Sequence, residues 1–147
     1  MRTKEDILQL VGEEDVEFIR LQFTDILGNL KNVSVTVEQL KRVLDNNYVF
    51  DGSAMFGEYR GDEEDMYLCP DLDTFVILPW RPQQDKVARI LCNVCKPDGT
   101  PYEMCPRTIL QKVIKEAEEQ GYIFYIDPEC EFFLFHTDEN GTPTTVT

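Results

Sequence analysis

Glu129 and Glu131 stand in an otherwise apolar run, Tyr125-Ile126-Asp127-Pro128-Glu129-Cys130-Glu131-Phe132-Phe133-Leu134-Phe135. Side chains of a strand alternate between faces, so both carboxylates would point the same way. Their Cα atoms would lie about 6.6 Å apart. Carboxylates are uncommon in such a segment unless something neutralises them. Acids paired at this spacing suit one or two divalent cations, because hard ions such as Mg²⁺ take oxygen ligands and often keep substrate phosphates as further ones. The pattern also describes a strand with one solvated face, although Phe133 and Phe135 continue the face of the two acids.

Other residues capable of chemistry carry weaker signals. Cys92-Asn93-Val94-Cys95 has C-x-x-C spacing, but no second pair accompanies it and His136 is the single histidine. In a strand the two thiols would point to opposite faces, which disfavours zinc or redox use. Five cysteines is an odd count. With the polar start Met1-Arg2-Thr3-Lys4-Glu5-Asp6, which lacks the apolar stretch of a leader peptide, it fits a reducing cytoplasm. Glu58, Asp62, Glu63, Glu64 and Asp65 crowd into eight residues, a run that usually marks a solvated face. The net charge of −14, from 28 acids against 14 bases, argues against nucleic acid and anionic membranes as partners. No apolar run approaches membrane-spanning length.

The elements that would position these residues follow from periodicity. Thr3 and Asp6 resemble a capping box opening a helix through Val11. Ile19, Leu21 and Phe23 alternate with polar residues in a first strand, a turn spans Asp25 to Asn29, and Val33, Val35 and Val37 form a second strand. Thr36 and Gln39 predict another cap, with a helix to about Asn46 that buries Leu40, Val43 and Leu44. Tyr48 to Asp73 reads as a long, irregular, acidic segment, of the kind that is functional or disordered. Strands follow at Phe75–Trp80 and Val87–Cys95. This order predicts an α+β unit, a β-grasp sheet crossed by a helix, ending at the turn Pro97-Asp98-Gly99-Thr100-Pro101. Residues 1–100 are therefore one expected domain. From 101 to 147, Pro106 opens a helix with the apolar stripe Ile109, Leu110, Val113, Ile114 and Ala117, capped by Gly121. The Glu129/Glu131 strand comes next, then a turn at Asp138-Glu139-Asn140-Gly141. One helix and a strand or two cannot make a second core, so the expected second domain is incomplete.

The stretch Phe50-Asp51-Gly52-Ser53-Ala54-Met55-Phe56-Gly57-Glu58-Tyr59-Arg60, continuing to Phe75, resembles the N-terminal signature of glutamine synthetases. Arg20 to Gly28, Pro97 to Pro101 and Pro128 to Phe135 agree with it. The resemblance runs over essentially the whole chain, but only over the first part of a family sequence. It is nearest to the bacterial type I enzymes inhibited by glutamine. The resemblance implies a β-grasp domain followed by the first helix and strands of a truncated catalytic domain. It implies a ligase that makes glutamine from glutamate and ammonia, with ATP as substrate and γ-glutamyl phosphate as intermediate. Glu129 and Glu131 match metal ligands, one for each of two Mg²⁺ or Mn²⁺ sites. Asp51 matches an aspartate that binds ammonium and helps deprotonate it. Arg60 matches an arginine that reaches a neighbouring active site in feedback inhibition. The implied whole enzyme is a dodecamer of two hexameric rings with active sites shared between subunits. The remaining metal ligands, the glutamate clamp and most ATP contacts match no residue of this chain, so these 147 residues alone are expected to be inactive.

Three positions depart from the pattern: Ala54 where a second serine is usual, Asp127 where glycine is usual, and Cys130 where proline is frequent. None removes an implied ligand. Two other readings stay open at this point, a γ-glutamyl ligase for a larger amine and a non-catalytic β-grasp interaction module.

Overall fold

The capping box forms as expected. The Asp6 N–H donates to the Thr3 hydroxyl at 3.1 Å, and the Thr3 N–H donates to the Asp6 carboxylate at 2.7 Å. Helix α1 runs Lys4–Glu13 and buries Ile7 and Val11. The fold is that of a computed structural model that describes residues 1–56, 64–80 and 85–145.

Strands β1 (Val16–Thr24) and β2 (Leu30–Thr36) make the expected antiparallel hairpin, with Ile19 opposite Val35 and Leu21 opposite Val33. Their connection turns at Gly28, whose φ of +87° is readily adopted only by glycine. The next helix is shorter than its sequence pattern implied. A 3₁₀ turn, Val37–Gln39, leads into helix α2 (Leu40–Leu44), and Thr36 gives no side-chain cap. Asn46 ends the run at φ +57°, a left-handed conformation that asparagine tolerates. Leu40, Val43 and Leu44 are buried, as their spacing required.

The stretch Tyr48 to Asp73, expected to be irregular, is largely strand. β3 (Tyr48–Asp51) runs into a 3₁₀ turn at Gly52–Met55, and β4 spans Asp65–Ile77. The acids and glycines of this stretch conceal Met66, Leu68 and Phe75, which are buried. β5 (Lys86–Cys95) completes a five-stranded sheet in the order β2-β1-β5-β4-β3. β1 and β5 are parallel, and every other pair is antiparallel. α1 and α2 cover the face that carries Ile19, Leu21, Leu68, Ile90 and Val94, which form one core. Between Asp71 and Val76 the β4–β5 ladder slips. There the Thr74 hydroxyl takes over, accepting the Leu91 N–H at 2.8 Å and donating to the Asp71 carbonyl at 2.6 Å.

Past the turn at Pro97–Pro101, helix α3 (Pro106–Glu119) starts on its proline as expected. Arg107 fastens its first turn to the other face of the sheet, donating to Asp71 at 2.6 Å and to Asn93 at 2.8 Å. The apolar stripe is not buried: Ile109, Leu110, Val113 and Ile114 are all exposed. The strand expected over Tyr125–Phe135 is not formed either, and Ile126 to Phe135 lie exposed with no ladder. A strand exists only by pairing its N–H and C=O groups, and none of the five strands borders this segment. The predicted final turn is present, with Thr137 bridging Pro143 around Gly141 at φ +80°.

Candidate functional site

Asp51 is the last residue of β3, placed opposite Asp65 at the end of the β3–β4 ladder. Its carboxylate accepts the Ser53 N–H at 2.8 Å and so caps the 3₁₀ turn that follows. The side-chain and backbone hydrogen bonds of Ser53 hold the exposed carboxyl below the usual carboxylate range. An exposed anion fixed by its neighbours can attract a cation, and a carboxylate can also accept a proton.

Three contacts fix the turn behind Asp51. Gly52 lies so close to β4 that a Cβ there would sit 2.3 Å from the Glu64 carbonyl oxygen. Met55 is fully buried, and its carbonyl accepts the Ile26 N–H at 3.0 Å. The Phe23 and Phe50 rings stack at 4.9 Å between centroids, tilted by 47°. Ala54, one of the three departures, is partly buried against the core.

The Ile26 contact leads to a residue whose importance its sequence context concealed. Asp25 is fully buried. Its carboxylate accepts the Leu27 N–H at 2.9 Å, the Asn29 N–H at 2.8 Å and the Asn29 side-chain amide at 3.0 Å, with the Lys31 ammonium 3.6 Å away. Burial pushes the carboxyl up, but the hydrogen bonds from Asn29 and Leu27 and the charge of Lys31 prevail and leave it lowered. An aspartate before a Leu-Gly-Asn turn is an ordinary surface motif. The signal for burial was its place directly after the alternating Leu21 and Phe23.

Arg60 lies outside the described residues, as do Glu58, Asp62 and Glu63. Glu129 and Glu131 are exposed, with Asp127 and Cys130 beside them. The structure therefore brings together the Asp51 turn and the Asp25 turn, and leaves the glutamate pair on the unpaired segment after α3. Both glutamates offer the hard oxygen donors that Mg²⁺ and Mn²⁺ take. Among the described residues, no group of three or more His, Cys, Asp or Glu side chains could hold a metal ion. The donor type fits such an ion, and the donor number falls short of a coordination sphere. The C-x-x-C cysteines are buried, and burial pushes both thiols up to about 12, which makes them poor nucleophiles and ligands at neutral pH.

Residues 15–97 match the glutamine synthetase β-grasp domain, and residues 103–147 match the glutamine synthetase catalytic domain. A glutamine synthetase of Clostridium saccharobutylicum is 60% identical over 145 residues, which cover 99% of this chain and 33% of the relative. One of Staphylococcus aureus is 57% identical over 143 residues, covering 97% of this chain and 32% of the relative. The chain thus spans about a third of the length of these relatives. A cryo-EM structure of Plasmodium falciparum glutamine synthetase superposes with a TM-score of 0.69 at 22% identity, over 82% of this chain and 23% of that one, a likeness of fold alone. A mixed β-grasp sheet holding an aspartate on a capped turn, joined to the start of a catalytic domain, places the chain in the glutamine synthetase family.

Proposed function

We propose that this chain supplies the ammonium side of a glutamine-forming active site. The observation that carries the reading is Asp51, an exposed carboxylate fixed on a braced turn, in a chain 60% identical to a glutamine synthetase. Asp51 attracts ammonium, orients it and accepts its proton as ammonia becomes the nucleophile. Its carboxyl is anionic at neutral pH, as ordinary carboxyls are, and cation capture demands that charge. The acceptor is the γ-carboxyl of glutamate activated by ATP as an acyl phosphate. Glu129 and Glu131 each give oxygen donors to one of two Mg²⁺ or Mn²⁺ sites, where such ions neutralise phosphate oxygens.

The remaining ligands and the glutamate and nucleotide contacts come from further sequence of the family type and from neighbouring subunits. In this reading the working assembly is a cytoplasmic dodecamer of two hexameric rings. Asp51 serves the site of an adjacent subunit, and Arg60 answers glutamine there as a feedback contact. The unit that presents Asp51 spans residues 1–100, and residues 101–147 begin the catalytic unit.

The test is a chimera in which residues 1–147 replace the aligned third of the Clostridium saccharobutylicum enzyme. It forms glutamine from ammonium, glutamate and ATP. Asp51→Ala raises its ammonium requirement, and Glu129→Ala or Glu131→Ala weakens Mn²⁺ binding in calorimetry. The 147 residues alone show no turnover. A chimera that folds and assembles yet makes no glutamine overturns the reading.

A further inference from the structure

Among the described residues one carboxylate is fully buried, and it belongs to neither β3 nor β4. It is Asp25, fully enclosed at the end of β1 and receiving three hydrogen bonds from its own turn. A buried charge is retained at a cost unless it is fully partnered, and a partnered one makes its surroundings rigid. What Asp25 makes rigid is the loop Asp25–Asn29, closed by the Gly28 N–H donating to the Asp25 carbonyl and the Asp25 N–H donating to the Asn29 carbonyl, each at 3.0 Å. The outward product of that loop is one aimed donor, the Ile26 N–H, which meets the Met55 carbonyl at 3.0 Å. Met55 ends the 3₁₀ turn whose other end is capped by Asp51. Two turns far apart in sequence are thus joined by one main-chain hydrogen bond, backed by the Phe23–Phe50 contact.

We infer that Asp25 is a positioning residue for Asp51, acting through the Ile26 N–H and the Met55 carbonyl to hold the Gly52–Met55 turn at its cap. The inference deepens the proposed ammonium site and rests on that reading for its catalytic meaning. Its structural half stands independently.

Ile26 is the second residue of the turn closed by Gly28, a position where proline is favoured. It follows a strand end, which proline also accepts. Ile26→Pro therefore deletes the bridging donor and keeps the Asp25 turn. Because it also trims a side chain packed on the core, Ile26→Ala, which keeps the N–H, is the packing control and should leave the Ser53 and Asp51 signals in place. Asp25→Asn keeps the side-chain shape and removes the charge. Both variants of the 147-residue chain are followed by NMR, reading Ser53 amide exchange and Asp51 carboxyl titration, with the Leu68 and Ile90 amides reporting the core. In Ile26→Pro the Ser53 amide exchanges about fivefold faster, the order set by loss of one neutral hydrogen bond. Asp51 titrates closer to an ordinary aspartate, and the core amides stay protected. Asp25→Asn shifts the same two signals in the same direction. If Asp25→Asn fails to fold, Ile26→Pro alone decides. Unchanged Ser53 and Asp51 signals in a folded Ile26→Pro protein overturn the inference.

The same substitutions in the chimera separate the inference from the reading. A raised KM for ammonium with an unchanged KM for ATP is the expected split. Moved NMR signals with no change in ammonium KM would leave Asp25 positioning Asp51 and would sink the ammonium role instead.

Discussion

At the scale of single residues, the site is defined by groups that could not be exchanged for their chemical neighbours. Gly52 needs no left-handed backbone, yet an added Cβ would collide with the Glu64 carbonyl oxygen, which is main chain and cannot rotate away. Gly52→Ala should cost about 1–3 kcal/mol, as overpacking does, seen as a lower denaturant midpoint at unchanged slope. Asp25 makes stability depend on acid. Its folded carboxyl lies below its ordinary value of 3.8, so its contribution is complete above that value and is lost as pH falls through the lower, folded one. Asp25→Asn should flatten this acid limb in a series of urea titrations from neutral pH down to about pH 2.5, a range that brackets ordinary carboxyl values. Asp51 stood out in the sequence because the motif that carries it is long and contiguous, and the structure sets it on a capped turn. Asp25 was legible only as a turn residue, since the contact that seats its turn, Ile26 on Met55, is remote in sequence.

At the scale of elements, alternation was read correctly where the partner lay nearby, and of the two predicted N-caps the Thr3 box forms while Thr36 gives none. The β1–β2 hairpin, the α1 cap and the buried side of α2 all depend on local spacing, and all three form. The stretch before β5 misled because strand β4 carries Asp65, Pro70, Asp71 and Asp73, residues that strands usually avoid. Asp65 and Pro70 keep their register, the ladder slips only after Asp71, where Asp73 falls, and Thr74 replaces a missing backbone acceptor there. Thr74→Val keeps the shape and strands the Leu91 N–H. It should cost about 1 kcal/mol, the low end for a donor left unpaired because this one is only partly buried, with loss of exchange protection confined to Leu91 and its neighbours. The segment Tyr125–Phe135 shows the converse. Its composition favours a strand, but composition supplies no neighbour, and without a ladder it stays exposed.

At the scale of the whole molecule, two regions of unlike quality are joined. Residues up to the Pro97–Pro101 turn, with Tyr102 and Cys105 just past it, enclose a continuous core. Beyond it, Leu110, Val113 and Ile114 of α3 face Tyr122, Phe124 and Ile126 across an open groove of about 330 Å³. Apolar surface of this extent promotes association. The isolated 147 residues should therefore bind a hydrophobic dye and sediment heavier with rising concentration, and Val113→Glu combined with Phe124→Glu, both in the groove, should reduce both effects. Unchanged sedimentation in that double variant would show that the groove is not the contact. The sheet has one more consequence, and it concerns time. Its central strand β5 runs beside β1 in parallel, with Ile19 beside Ala88. Roughly seventy residues must be made and looped before this pair can zip, a separation that slows folding. During synthesis the hairpin of β1 and β2 must wait with an open edge at β1 until β5 arrives, which makes that interval the period when a chaperone or a neighbouring nascent chain has most to grasp.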